Sequence, residues 1–344
     1  MRNSFLLTAL LCAAALQSGF ASGPAIEGPK RSQDWFKRAS ESMALRVPGS
    51  KAFHLKVKFH AYAGDEMLAP GEKSQFIVGD GVYDEVWQDA KNWRREVTLA
   101  DYHAVEAESN GVRKMQASSD YEPGRVLMLL NYLSTPVPDI LTNGSLVSMN
   151  WKIEQVSSGS LSLVRLSNVM VASQRIKLTD SYFFSPNGEL AMSNVDGVVV
   201  AWSEYADFDG KRVPKGLRVE CGDRALLKAS IAIEPAGQVD AMSFELPGDA
   251  AEAGKTLQRL HETAVKFPGS RTAIPPFSGA SFPLPPFIVI GVLDRTGAYR
   301  EIELIFAPDV SNLAKILNSI RTAHVSPPLV GRSPCELAMS WRSL

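Results

Sequence analysis

From Phe53 to His60 the chain alternates without a fault: Phe53, Leu55, Val57 and Phe59 fall on one side, His54, Lys56, Lys58 and His60 on the other. A period of two is the signature of a strand with one face buried and one face wet. The pattern recurs in strand-length segments as far as Ile233: Val82 to Trp87, Trp93 to Leu99, Tyr102 to Glu108, Val112 to Ala117, Trp151 to Gln155, Leu161 to Leu166, Ile176 to Phe184, Leu190 to Ser193, Val198 to Glu204, Leu217 to Cys221 and Leu226 to Ile233. Asn110-Gly111, Ser158-Gly159, Asn187-Gly188 and Asp209-Gly210 separate many of them, and such dipeptides reverse a chain between antiparallel neighbours. The expectation is an antiparallel meander with one apolar face.

Two segments break the alternation. Between Ser32 and Leu45, Trp35, Phe36, Ala39, Met43 and Ala44 share one stripe at helical spacing, so a helix should lie against the sheet. Gly124 to Leu133 is apolar almost all round, with Val126, Leu127, Met128, Leu129, Leu130, Tyr132 and Leu133; a short helix of that kind has to be buried inside something. A curved sheet offers the place. The fold class expected is α+β, a curved antiparallel half-barrel with helices on its concave side and a small ββαβ domain at the C-terminus.

The N-terminus reads as an export signal over residues 1–21: a basic start at Arg2, an apolar run from Phe5 to Leu16, and Gly19-Phe20-Ala21 as a small-x-small cleavage site. Its apolar stretch falls short of the roughly 20 residues that span a bilayer. The processed chain would carry 35 basic and 37 acidic residues, a balance with no footprint for DNA or RNA, and no nucleic acid is expected as a partner. Cys221 and Cys335 remain after cleavage, without metal-ligand spacing. In an oxidising compartment they are candidates for a disulfide, the alternative being two buried thiols.

Past Pro247 the composition shifts. Ala250 to Phe267 has a helical stripe in Leu257, Leu260, Ala264 and Val265, and prolines then crowd Pro268 to Pro286, so residues 248–286 read as a helix and a tether between a domain at 32–247 and one at 287–344. In the last domain Phe287 to Leu293 reads as a strand, Asp294-Arg295-Thr296-Gly297 as a hairpin turn and Glu301 to Phe306 as its partner. Pro308-Asp309 opens a helix with Val310, Leu313, Ile316, Leu317 and Ile320 on one stripe, and Cys335 to Arg342 closes the unit as a strand.

No catalytic chemistry stands out. His54, His60, His103, His261 and His324 show no HExxH or paired ligand spacing, and GxSxG, a P-loop and a Cys beside a His are all missing from the sequence. Glu106 and Glu108 share a strand face, which reads as a charged solvent face, and Asn143-Gly144-Ser145 fits both a glycosylation acceptor and a turn. The reading is a non-enzyme without cofactor or metal.

Two ordered patterns carry a family resemblance: Val82-Tyr83-Asp84-Glu85-Val86-Trp87 through Trp93-Arg94-Arg95-Glu96-Val97, and Tyr205-Ala206-Asp207-Phe208-Asp209-Gly210-Lys211-Arg212-Val213-Pro214 leading into Leu217-Arg218-Val219-Glu220 and later Phe244-Glu245-Leu246-Pro247. With the order of elements, these make the chain from about Gln33 to Pro247 resemble bacterial lipoprotein carriers of the LolA/LppX group. The resemblance implies a half-barrel that holds a lipid or lipoprotein acyl chain. The cavity lining expected is Phe53, Leu55, Val57, Phe59, Trp87, Trp93, Val97, Leu99, Met128 and Leu130, against the reading that these are ordinary closed core. Arg94, Arg95 and Arg125 are not matched to the polar residues that such carriers use near the mouth. The opening strand, Asp294 to Gly297 turn and second strand resemble the C-terminal domain of TonB-family proteins, although His324-Val325-Ser326-Pro327 stands where that family has aromatics. That resemblance implies partner contact, with an extended peptide of an outer-membrane protein added to a sheet edge, against the reading of a purely structural extra domain. The function expected is lipid holding in the periplasm or outside the cell of a bacterium; the alternatives are an envelope-stress sensor acting by protein contact and a TonB-type energy transducer.

Overall fold

The computed structural model describes residues 29–66, 73–137, 141, 151–158, 161–168, 179–195, 197–237, 244–246, 250–252, 265–266, 287–307, 313–327, 329–330 and 333–343. The export signal, Asn143-Gly144-Ser145, the proline-rich tether and most of the helix expected between Ala250 and Phe267 lie outside them.

After helix α1 (Pro29–Met43) come β1 (Phe53–Ala61), β2 (Gly79–Asp89), β3 (Asn92–Leu99), β4 (Tyr102–Ser109) and β5 (Val112–Ala117), then helix α2 (Gly124–Ser134). There follow β6 (Trp151–Ser158), β7 (Leu161–Asn168), β8 (Thr179–Phe184), β9 (Leu190–Val195), β10 (Val198–Ser203), the small hairpin β11 (Ala206–Phe208) and β12 (Lys211–Val213), β13 (Gly216–Cys221) and β14 (Arg224–Pro235). Two-residue strands β15 (Ala251–Glu252) and β16 (Val265–Lys266) precede the last unit, which holds β17 (Phe287–Leu293), β18 (Tyr299–Phe306), helix α3 (Leu313–Thr322), β19 (Leu329–Val330), β20 (Ser333–Pro334) and β21 (Leu337–Ser343).

Thirteen strands form one sheet in the order β15-β5-β4-β3-β2-β1-β14-β13-β10-β9-β8-β7-β6. It consists of two meanders stitched at β1 and β14, where an antiparallel register runs from Phe53 opposite Pro235 to Ala61 opposite Leu227. The turn chemistry is as the sequence requires. Asn110 and Gly111 sit at φ +52° and +81°, Asp209 and Gly210 at +52° and +73°, the paired left-handed conformation of a two-residue hairpin turn whose twist matches the strands it joins.

The large core is a single cluster. It joins Phe53, Leu55, Val57 and Phe59 of β1 with Phe36 and Ala39 of α1 and Val126, Leu129 and Leu130 of α2, so both helices cover one face of the sheet. The opposite face of β1 carries the wet residues, with His54 on Asp84 at 2.8 Å, Lys56 on Glu234 at 2.9 Å and His60 on Asp80 at 2.7 Å. Among the described residues no helix is long and apolar enough to cross a membrane.

The last unit has its own core. Its sheet runs β18-β17-β21, and α3 lays Leu313, Ile316, Leu317 and Ile320 on Phe287, Val289, Leu293, Tyr299 and Ile302. The ββαβ order is therefore present. The Asp294 turn is built by its carboxylate, which accepts from the Thr296 and Ala298 backbone N–H groups at 2.8 and 3.0 Å and from Arg300 Nε at 2.8 Å. Of the segment from Ala250 to Phe267 only the ends are described, where β15 pairs with β5 and β16 pairs with β19; the expected helical stripe at Leu257, Leu260 and Ala264 lies outside the described residues.

Candidate functional site

Register sorts the inward side chains of β1 to β5 into rows across the strands. Phe53, Trp87 and Trp93 form the first, and Leu55, Glu85, Arg95, Glu106 and Met115 the second. Val57, Tyr83, Val97, Ala104 and Ala117 make the third, and Phe59, Gly81, Leu99 and Tyr102 the fourth. The first row is aromatic, with Phe53 stacked on Trp87 at 5.4 Å between ring centroids. In the fourth, the Phe59 ring fills the place where a side chain at Gly81 would begin, so glycine is required by close approach.

The second row is charged and buried. Arg46 Nε donates to Glu85 at 2.7 Å and its second nitrogen to the other carboxylate oxygen, on which the Tyr83 hydroxyl also donates at 2.8 Å. Arg95 Nε donates to Glu106 at 2.8 Å, Arg113 Nε donates to the other Glu106 oxygen, and both guanidinium groups lie over the Trp93 ring, at 4.9 and 5.3 Å. Burial pushes the Glu85 carboxyl up, but Arg46 and then Arg95 outweigh it and hold it below the usual carboxylate range. Glu106 follows the same logic, burial being overcome by Arg95 and Arg113. Both remain ionised and paired with Arg46, Arg95 and Arg113, so the row is a belt of buried ion pairs across an otherwise apolar face.

Helix α2 lies over these rows. Pro123 stands at its N-cap and offers no side-chain acceptor, while Arg125, Val126, Leu127, Leu129 and Leu130 are buried. Of the expected cavity lining, Phe53, Leu55, Val57, Phe59, Trp87, Trp93, Val97, Leu99 and Leu130 are all buried in the core cluster, and Met128 is half-buried against it. They share a core with residues of α1 and α2, and the chain's own helices cover them. The void between Tyr83, Arg95, Val97, Ala104, Glu106, Met115, Glu122 and Leu130 measures about 10 Å³. That is room for one water, not for an acyl chain. A larger groove, about 310 Å³, lies on the other face of β4 and β5, between Ala107, Ser109, Val112, Lys114 and the Phe244 to Leu246 segment.

The C-terminal unit closes the remaining end of the hollow. Ile305 packs against the large core, and Val292 approaches Gly124. Glu301, whose backbone sits at φ +48° where β18 shifts register against β17, points its carboxylate at the start of α2 and accepts the Gly124 N–H. A carboxyl oxygen at a helix N-terminus supplies the missing acceptor for an otherwise orphaned N–H. Arg125 donates to Glu303 at 3.1 Å and to the Tyr62 carbonyl at 3.0 Å, and lies 4.7 Å over the Phe76 ring. Glu303 is fully buried and Arg125 is 3 % exposed. The exposed edge expected of this small sheet is covered on the β18 side: the Leu304 N–H donates to the Asp65 carbonyl at 3.4 Å and the Glu301 N–H to Gln75 at 3.1 Å. β21 forms the other edge.

The candidate disulfide is not formed. Cys221 and Cys335 are buried thiols; Cys221 lies 3.9 Å from the Ile305 carbonyl and 3.6 Å from an Arg224 nitrogen. Burial pushes the Cys221 thiol up, which disfavours the reactive thiolate. Among the described residues no cluster of His, Cys, Asp and Glu is suited to a metal.

The sequence reading put Glu106 on a solvent face, where the structure buries it, and gave Glu85, Arg95 and Arg125 no role. Strand parity held the signal for three of them. Tyr83 and Trp87 flank Glu85 at two residues on either side, Trp93 and Val97 flank Arg95, and Tyr102 and Ala104 precede Glu106 in phase. A charge in phase with buried aromatics belongs inside.

No family model matches the chain, and no curated protein matches it. Among solved structures it is similar to a LolA superfamily protein from Nitrosomonas europaea, with 11% identity and a TM-score of 0.29, over 62% of this chain and 97% of that one. The TonB-like reading of 287–344 gains no support from these comparisons.

Proposed function

We propose that this is an exported cell-envelope protein that takes a lipid or lipoprotein acyl chain onto the concave face of its sheet, with α2 as the lid that moves aside. The observation that supports the reading is the lid itself. A wide apolar face is closed by a short helix that is apolar nearly all round and has no cap of its own, rather than by a second sheet. Moving that helix would uncover the aromatic row and the third and fourth rows, and each Å² of apolar surface returned from water to an acyl chain stabilises by roughly 25 cal/mol. The charged belt of Glu85, Glu106, Arg46, Arg95 and Arg113 would then meet the polar end of such a ligand.

A second reading has its own observation. With the void beside Leu130 only about 10 Å³, contact with another protein, through β21 or the groove by Phe244, would need no opening there. That reading suits a sensor of envelope state.

Native mass spectrometry after gentle purification separates the two. Copurifying lipid, with apolar dye uptake that phospholipid competes away, is the result expected of the carrier. A lipid-empty protein that takes up no dye would leave only the contact reading.

A further inference from the structure

The contacts between α2 and the C-terminal unit are unlike those that hold the rest of the sheet domain together. They are carried by carboxyl groups, and two of these meet each other. The Glu122 N–H donates to Glu336 at 3.0 Å, with both residues buried. Neither Glu122 oxygen, nor the second Glu336 oxygen, finds a hydrogen-bond partner among the described residues. The nearest cation to Glu336 is Arg295, whose Nε stands 3.8 Å away. An ionised carboxylate without a donor in such a place is held at a heavy desolvation cost, whereas a protonated one is tolerated.

We propose that the C-terminal unit is a latch on the N-terminus of α2, closed while Glu122 and Glu336 are protonated and released as rising pH ionises them. The inference rests on α2 being the lid of the hollow, but the contact that it describes is testable without any lipid.

Every element packed on the pair contributes. Glu122 faces Arg95 of β3, Glu106 and Tyr102 of β4, Arg113 of β5 and Arg295 of the C-terminal turn. Glu336 faces Glu122, Arg295, Asp294, Tyr102 and Tyr121. Glu301, the borrowed cap, faces Tyr121, Arg125 and the N–H groups of Gly124 and Ile77. Burial pushes Glu122 to about 7, despite Arg95, and Glu336 to about 8, with Glu122 beside it adding to the rise. Burial likewise carries Glu301 to about 7, against Tyr121 and Arg125.

The docked state therefore binds more protons than an undocked one in which water reaches these groups. For carboxyls raised by docking, the stabilisation is complete below their ordinary value near 4.5 and is lost as pH climbs through about 7 to 8. Glu85 and Glu106 behave oppositely, holding the sheet firm above the ordinary range and loosening it only in acid. Neutral to mildly alkaline pH should thus free the lid and leave the sheet intact.

Hydrogen exchange on the full chain at pH 5.5 and 8.0, corrected for intrinsic rates, tests the latch. Amides of Gly124 to Ser134 should exchange at least about tenfold faster at the higher pH, the change that a one-unit displacement of one carboxyl gives. Amides of β1 and β13 should not change. The double variant Glu122→Gln with Glu336→Gln should keep α2 protected at both values. Equal protection of α2 at both values in the unaltered chain, parallel loosening of α2 and β1, or a full pH response in the double variant would each overturn the proposal. The unaltered chain decides the question even if the double variant fails to fold. A lipid-free protein that still shows the response would sink the carrier reading while leaving the latch standing.

Discussion

Helices α1 and α2 cover the same face of one sheet by opposite means. α1 is amphipathic and self-sufficient: Phe36 meets Tyr182 and Phe184 edge-on at 5.0 and 5.5 Å, Trp35 meets Phe184 at 5.2 Å, and Asp34, Lys37, Arg38 and Glu41 stay in water. α2 is apolar on nearly every side, carries no cap, and takes its N-terminal acceptor and its buried ion pair from a separate folding unit. One helix is fixed by packing against the sheet, the other by packing below and charge at its end. Packing responds little to pH, whereas buried titratable groups respond strongly, and that places any regulated opening at α2.

The largest effects should come from substitutions that cut one helix and spare the other. Phe36→Ala removes a fully buried ring and should cost about 3–5 kcal/mol, read as a drop in the denaturation midpoint, with α2 still protected under native conditions. Glu303→Gln should cost a comparable amount, about 3–5 kcal/mol, because it leaves Arg125 buried without its counter-charge. Its damage should be confined to α2 and the junction, with α1 exchange unchanged. If Glu303→Gln loosened α1 as much as α2, the two covers would be one cooperative piece and the comparison would fail.

A smaller and more local effect is expected from Gly124→Ala. Its methyl group would fall on the Glu301 carboxylate and close to Val292, both in the C-terminal unit, so the cap has to withdraw or the unit has to shift. Overpacking of this kind costs about 1–3 kcal/mol. Alanine is otherwise the better helix former, so an isolated α2 would gain from the change. A net loss measured by thermal melting, together with faster exchange confined to α2, would show that the helix depends on its borrowed cap. A net gain would show that the cap contributes nothing.

How far these differences could be read from the sequence depends on what each segment records locally. The strands of the sheet announce themselves because a half-buried strand must alternate, and the paired positive φ of Asn110 and Gly111 is written in the residue types. The apolar surplus of Gly124 to Leu133 likewise forces burial under a curved sheet. What covers that helix is not local. Glu301 and Glu303 reach Gly124 and Arg125 across most of the chain, and no periodicity links them. The openness of the hollow was equally hidden, since Phe53, Leu55 and Val57 face inward whether the space before them is empty or full. Cys221 and Cys335 could be weighed as a pair only from their number, and number says nothing about distance.

The smallest effect expected is none. Lys37 and Glu41 sit one turn apart on the outer face of α1, 3.9 Å between charged atoms, each 64% exposed. Ordering two long, solvated side chains cancels most of the weak attraction between them, and added salt screens what is left. Lys37→Ala should leave the denaturation midpoint within error at low and high ionic strength. The contrast with Glu303→Gln is then one of burial, since both changes break an ion pair that involves a covering helix. A midpoint that fell clearly for Lys37→Ala, and recovered with salt, would mean that α1 too is held by charge, and the division of labour between the two helices would be lost.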